Sequence, residues 1–373
     1  MNGQTSAKTD RIASIDVLRG LAMFLILGTQ IGGAPVFKTF VNLFGPEFVA
    51  ATAHQFSWTV PGVNLMNVAQ SIFIFVVGLV IPFSLGKRLA QTDRRATCLH
   101  IVRRSLLLFV LGMIAGGHLL SLRLDTFYFY NNVLEYISIG YLVCSLLVMC
   151  TRVKTQWFVT GGVLLLVWAI WALIPAPGWE GDRFSTEMNI GIYLDRLLLG
   201  PHGHPFKGYW SASLNTLSQI GNMLLGVLMG HIIFGSSDKA AKTKLLFACG
   251  FGMLLAGWLW SGVYPSLRMF MTGSYVLEAC GLATVLLALL HWLVDIRGHS
   301  KWAFFFIVFG ANSIAIYMMA HLFKFNLIGN VFVGGLCGHL PPAVGDFIQA
   351  VTAMAVMWLI MCYLYRKKTF LKV

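Results

Sequence analysis

Charge is scarce in this chain. Of its 373 residues only 11% are Asp, Glu, Lys or Arg, less than half the share of about 25% usual in soluble domains. With so few polar groups the chain cannot cover a water-facing surface of its own size, and lipid is the solvent its composition requires. The seven cysteines are scattered and show neither the spacing of a disulfide framework nor that of a zinc site. Alternating polar and apolar strands are missing, which excludes a membrane β-barrel. No nucleophile elbow, phosphate-binding loop or zincin motif occurs, and no internal repeat of the kind many transporters carry is visible. A cleavable signal peptide is not expected, because the polar opening Met1–Asp10 runs through Arg11 into a segment long enough to span.

What the chain has in abundance is apolar residues, 57% of the total, with a mean hydropathy of +0.75. They gather in ten blocks of the length a membrane helix needs. The blocks are Ile15–Gly33, Met66–Leu85, Ser105–Leu122, Val133–Cys150, Phe158–Pro175, Leu214–Phe234, Leu245–Tyr264, Tyr275–Val294, Ala303–Phe323 and Ala343–Tyr365. Each is apolar on every side. The expected fold is therefore all-α, a polytopic membrane helix bundle of about ten transmembrane helices forming one domain over residues 1–373.

The net charge of +13 does not point to nucleic acid. The basic residues sit in short clusters between apolar blocks, as in Lys87-Arg88, Arg94-Arg95, Arg103-Arg104 and Arg366-Lys367-Lys368. That is the positive-inside pattern, and it places both the N- and C-termini in the cytoplasm. The partner it implies is the lipid bilayer, a cell inner membrane by preference. Two long outer loops follow, Ala34–Asn64 and Ala176–Ser213, and a third, Asn326–Pro342, is rich in Gly and Pro. Long ordered loops commonly carry function.

Polar residues at membrane depth are costly and are the places to look for a site. Asp16 and Arg19, three apart, share one face of the first helix. They read either as an ion pair anchoring that helix or as a place where Arg19 meets a phosphate-bearing ligand. Gln30, Asn67, Asn131, Asn132, Gln219, Asn222 and Asn312 put amides at depth, and Glu135 and Glu278 add carboxylates. Hydrogen bonds between helices account for most such amides; the others line sites. Histidine is the proton handler near neutral pH. His54 lies in the first outer loop and His202 and His204 in the second. The last two could share a metal, but no third ligand is implied and no metal is expected.

The opening Arg11-Ile12-Ala13-Ser14-Ile15-Asp16-Val17-Leu18-Arg19-Gly20 resembles the first helix of the transmembrane heparan-α-glucosaminide N-acetyltransferase family. His54 and Trp58, then Ile72-Phe73-Ile74-Phe75-Val76-Val77-Gly78, are similar to that family's His-x-x-Trp-x-Gly segment and the Phe-rich span after it. Asn132 to Leu142, Asp195-Arg196-Leu197-Leu198-Leu199-Gly200, Leu224-Leu225-Gly226 and Gly310-Ala311-Asn312-Ser313 continue the likeness in order. The chain departs from the pattern where Asn67 stands for an Asp, Ser71 for a Pro, Gln30 or Thr29 for an Asn or Asp, and Glu135 for a Gln, and its His54-to-Trp58 spacing is one residue longer.

The resemblance implies transfer of an acetyl group from cytosolic acetyl-CoA to the amine of an amino sugar or oligosaccharide acceptor across the membrane. His54 would carry the chemistry as general base or acetyl carrier, with Asn67 and Gln30 as amide donors to the oxyanion. Asp16, Arg19, Arg103 and Arg104 are the candidates for the CoA side. Gly112, Gly116 and Gly117 would leave a narrow passage for its arm. Trp58, Asp195, Arg196, His202, Asn222 and Asn312 are the candidates for the acceptor side. Relatives of this type allow a homodimer. The rival readings are an O-acyltransferase acting on cell-envelope glycan and a transporter without acyl chemistry.

Overall fold

The computed structural model describes residues 12–370 except 30, 118, 120–122, 124–126, 131 and 203–210. The expectations placed on Gln30, Asn131 and His204 lie outside the described residues. The protein is an all-α polytopic helix bundle, 76% helical, with no strand among the described residues. Eight described helices are long and apolar enough to cross a membrane, nine if one bent pair counts as a single span.

The helix starts are written locally. Asn64, Asp93, Asn132, Asn189, Ser211 and Asp238 each cap a helix by accepting a hydrogen bond from an amide two or three residues on, which satisfies a donor the helix leaves unpaired. The helices are α1 (Ala13–Thr29), α2 (Val36–Asn42), α3 (Pro46–Thr52), α4 (Leu65–Leu89), α5 (Arg94–Ala115), α6 (Val133–Cys150), α7 (Val153–Leu173) and α8 (Ile190–Leu199). They continue with α9 (Ala212–Ile233), α10 (Lys239–Ser261), α11 (Gly273–Leu290), α12 (Phe304–Ala311), α13 (Ser313–Leu322), α14 (Phe325–Cys337) and α15 (Pro342–Arg366). A π-helical turn, His291–Ile296, extends α11.

All ten apolar blocks fall on helices, with three corrections. The block Ala303–Phe323 is not one straight span: it breaks into α12 and α13, bent by 74°. The break is at Asn312, whose φ of −124° and ψ of 39° leave the helical region and whose side chain donates to the Thr369 carbonyl at 3.0 Å. The stretch Asn326–Pro342 is not a loop, because α14 fills most of it and pairs with α15. Its glycines serve packing: a Cβ on Gly329 would press on the Ala353 and Gln349 backbone at 3.2 Å. Finally, α5 begins at Arg94, well before the expected Ser105, so its basic residues ride on the helix itself. α1, at 17 residues, is the shortest of the expected spans; it extends about 26 Å, near the lower limit for a bilayer core.

The centre of the bundle is α4 against α9. They run parallel, with Ser71 opposite Asn222, Phe75 opposite Gly226 and Leu79 opposite Gly230. A Cβ on Gly78, Gly226 or Gly230 would strike a backbone carbonyl of the other helix. Small residues let helices approach closely where apolar burial gives no preference over lipid. α1, α6 and α11 surround this pair, while α5 lies along α6 and α10 along α11. Gly20 and Gly310 bring α1 and α12 into backbone contact in the same way. The two ends of the bundle differ. At one, Asp295 receives the free amides of Ala13 and Ser14 at 3.0 and 3.1 Å and so caps α1. At the other, the loops lock together: the Gly62 amide donates to the Ser266 carbonyl at 2.8 Å and Phe129 N–H to the His202 carbonyl at 2.9 Å.

Candidate functional site

The loop end holds most of the sequence-selected residues. Asn64 and Asn67 form a reciprocal capping box at the start of α4, each side-chain oxygen taking the other's backbone amide at 2.9 Å. Gln55 Oε1 takes the next amide, that of Leu65, at 3.0 Å. This fixes the Gln55 amide so that its Nε2 faces His54 Nε2 at 2.7 Å. His54 Nδ1 lies 3.1 Å from the Ala51 carbonyl. The amide donates and the carbonyl accepts, so the pair selects the neutral tautomer with its proton on Nδ1 and an accepting Nε2. His54 is solvent-exposed on the loop.

Asn67 is fully buried, and its Nδ2 donates to the Gly62 carbonyl at 3.0 Å. The Gly62 carbonyl takes one of the two Nδ2 hydrogens, and burial keeps the other away from an oxyanion at the loop surface. The same α4 turn presents a second layer. Tyr275 Oη donates to the Asn67 carbonyl at 2.9 Å and pairs with Ser71 Oγ at 3.1 Å. Beside it lies Arg268, 1% exposed, donating to Gln70 Oε1 and standing 5.6 Å from the Trp58 ring. Burial lowers the pKa of this guanidinium.

Across from Gln70, α9 carries Asn215, Ser218, Gln219 and Asn222, four to a face at helical spacing and all buried. Asn222 is spent structurally: its Nδ2 reaches the Ser71 carbonyl at 3.4 Å and its Oδ1 takes the Cys280 thiol at 2.9 Å. Asn215 Nδ2 holds the Met269 carbonyl at 3.1 Å. Gln219 differs. Both its amide nitrogen and its oxygen are buried with no protein partner, as is Ser218 Oγ. Buried amides are almost always paired, so Gln219 marks a place where a water or ligand group would complete the polar cluster.

The start of α6 closes the third side. Glu135, fully buried, takes the Tyr130 amide at 2.6 Å, and Tyr136 Oη donates to the Tyr130 carbonyl at 3.0 Å. Asn132 takes the Tyr317 hydroxyl at 3.0 Å, with His321 Nε2 3.5 Å from its amide nitrogen. His202 binds the Phe127 carbonyl through Nδ1 at 2.9 Å, joining two loops. Asp195 accepts from the Ala212 and Ser213 amides at 2.6 and 2.9 Å and from Ser213 Oγ at 2.6 Å. It is therefore a cap for α9, and burial holds its carboxyl above the usual range. Arg196 faces solvent. Asn312 is absent from this cluster; it binds Thr369 at the far end of the chain.

The residues expected on the CoA side are not gathered in one place. Arg19 pairs with Asp16 at 3.8 Å on α1. Arg103 and Arg104 are on α5, which packs along α6, whereas α1 packs on α4 and α12. Arg103 is exposed. Arg104 turns inward over the Tyr141 ring at 4.5 Å, and its buried Nε has no hydrogen-bond partner. The gap expected at Gly112 is filled, since a Cβ there would meet Glu135 Cγ at 2.7 Å.

Arg268, Gln70 and Tyr275 were not singled out by sequence. One signal was available: Arg268 is a cation in a short loop on the side that positive-inside counting leaves poor in cations. A separate cavity of about 250 Å³ opens in the second long loop, lined among others by Trp179, Glu180, Arg183 and Asn189.

Fold and site together define a multi-pass membrane protein with a cluster of buried polar side chains beneath one set of loops. Residues 11–186, just under half of the chain, are similar to a family described only as a domain of unknown function, DUF5009. None of the curated proteins matches the chain.

Proposed function

We propose that this chain is a membrane acetyltransferase that acetylates an amino sugar at the loop end, with His54 as its base. The observation that carries the reading is the His54 arrangement: a proton held on Nδ1 by Ala51 and an accepting Nε2 presented at the loop surface. An attacking amine must be neutral, and an imidazole of this tautomer takes the amine proton at Nε2. The incoming amine would replace the Gln55 amide there, and Trp58, fixed beside Arg268, would offer a ring face to the sugar. Acetyl-CoA would supply the thioester acyl group. Of the residues expected to hold it, Arg104 fits best, because a phosphate oxygen would satisfy its buried Nε.

The test is acetyl-CoA turnover by the protein in lipid nanodiscs with glucosamine-ended acceptors, beside His54→Ala. Turnover in the parent and a fall of about 100-fold or more in the variant is the expected result. Turnover unchanged by His54→Ala would remove His54 from the chemistry. Product analysis separates N-acetylation from the O-acetylation of a hydroxyl acceptor. One observation favours a second reading, solute translocation without acyl chemistry: the 74° break at Asn312 resembles the interrupted helices of transporters. Uptake into vesicles without acetyl-CoA would establish it.

A further inference from the structure

α5 carries its cations in two different ways. Arg104 turns inward to Tyr141. Arg95 and Arg103 point outward, on the same face as four lipid-type side chains: Leu99, Val102, Leu106 and Val110, exposed by 70, 45, 63 and 38%. At 100° per residue these six positions fall within an arc of about 100°. Among the described residues the face has no protein cover, and lipid chains suit its apolar part. Its two arginines require something else, because a cation facing hydrocarbon is costly unless it reaches an anion at the interface.

The helix start points to the same ligand independently. Basic residues in the last turn of α4, Lys87 and Arg88, complement that helix's dipole. Arg94 and Arg95 occupy the first turn of α5, where cations oppose the dipole and an anion is favoured. Asp93, the carboxylate just before it in the chain, is committed to the Ala96 amide at 2.9 Å. Arg95 and Arg103 are eight residues apart, about 12 Å along the axis, so they bracket the depth of a headgroup layer and its acyl boundary.

We propose that the α5 face formed by Arg95, Leu99, Arg103 and Leu106 binds an anionic phospholipid, its phosphate over Leu99 between the two arginines and its chains along Leu106 and Val110. The site is independent of the acetyltransferase reading, and it assigns Arg103 to lipid rather than to CoA.

Native mass spectrometry of the intact protein with phosphatidylglycerol and with phosphatidylcholine tests it, comparing the parent with R95Q/R103Q and R95K/R103K. Each arginine near an anionic headgroup contributes about fivefold, so the Gln pair is expected to hold phosphatidylglycerol about 30-fold more weakly. The Lys pair should stay within about threefold of the parent, because charge rather than shape is the main requirement. Phosphatidylcholine retention should be the same in all three. Equal phosphatidylglycerol retention by the parent and the Gln pair would overturn the proposal, as would equal affinity of the parent for the two lipids. Loss of CoA binding by the Gln pair with lipid retention intact would return Arg103 to the CoA side and also overturn it. Should the Gln pair fail to fold, Leu99→Glu serves instead: a carboxylate on the same exposed face should repel phosphatidylglycerol, and unchanged retention would again reject the site.

Discussion

α9 and α10 are almost the same helix by sequence statistics. They have 22 and 23 residues and mean hydropathies of 1.3 and 1.4, yet 78% of α9 is buried and only 22% of α10. The difference lies in where the polar residues fall. α9 puts Asn215, Ser218, Gln219 and Asn222 on one buried face, where Asn215 and Asn222 bond neighbouring segments. α10 has no such stripe; Gly250 and Gly257 seat it on α11, and Leu255, Trp258 and Leu259 face outward. In water the more polar helix would be the surface one. In lipid the order reverses, because an amide facing hydrocarbon has no partner.

Four substitutions, the first two a matched pair, sharpen this contrast. The largest effect is expected from glycine. Gly226→Leu drives a side chain into the Phe75 carbonyl at the α4–α9 contact, and overpacking against backbone should cost more than about 3 kcal/mol and abolish monodisperse protein. Gly252→Leu on α10 enters open space and should change stability by less than about 0.5 kcal/mol in thermal melts. Equal behaviour of the two variants would mean that α9 is not central. Next is Asp195→Ala, which strips the start of α9 of its carboxylate cap; a loss of about 2 kcal/mol is expected from the melting curve. The smallest effect has the opposite sign. Gln219→Leu removes a buried amide with no protein partner and should stabilise by about 1 kcal/mol while lowering whatever activity the loop end supports. Destabilisation would show that Gln219 is paired in the folded protein and would remove the polar cluster as a candidate site.

How much of this was legible in advance varies by residue. The α6 block, Val133–Cys150, coincides with the helix at both ends, because Asn132 caps its start and Thr151 leaves the helical region at its end. α14 was hidden by its glycines, which read as loop formers until α15 lay against them. His54 could be placed on the outer loop from the sequence, but its tautomer depends on Gln55, and Gln55 is oriented only by the Leu65 amide ten residues away. Asp195 and Asn312 read from the sequence as candidates for the acceptor side. The contacts they make are a helix cap and a chain-end tie, which no local pattern distinguishes from ligand binding. Arg268 shows no periodicity and lies in a short loop; only its approach to Gln70 and Trp58 makes it conspicuous.

The sequence by itself determined that the chain is an all-α membrane bundle and where nearly all its helices run. Hydrophobic length and capping residues are local, and lipid leaves the backbone no alternative to the helix. Only the tertiary structure decided which helices are central, which polar residues face one another, and which of two adjacent arginines turns inward. Those outcomes depend on close approach at a few glycines and on hydrogen bonds between residues as far apart as Ser71 and Asn222, which hydropathy does not encode.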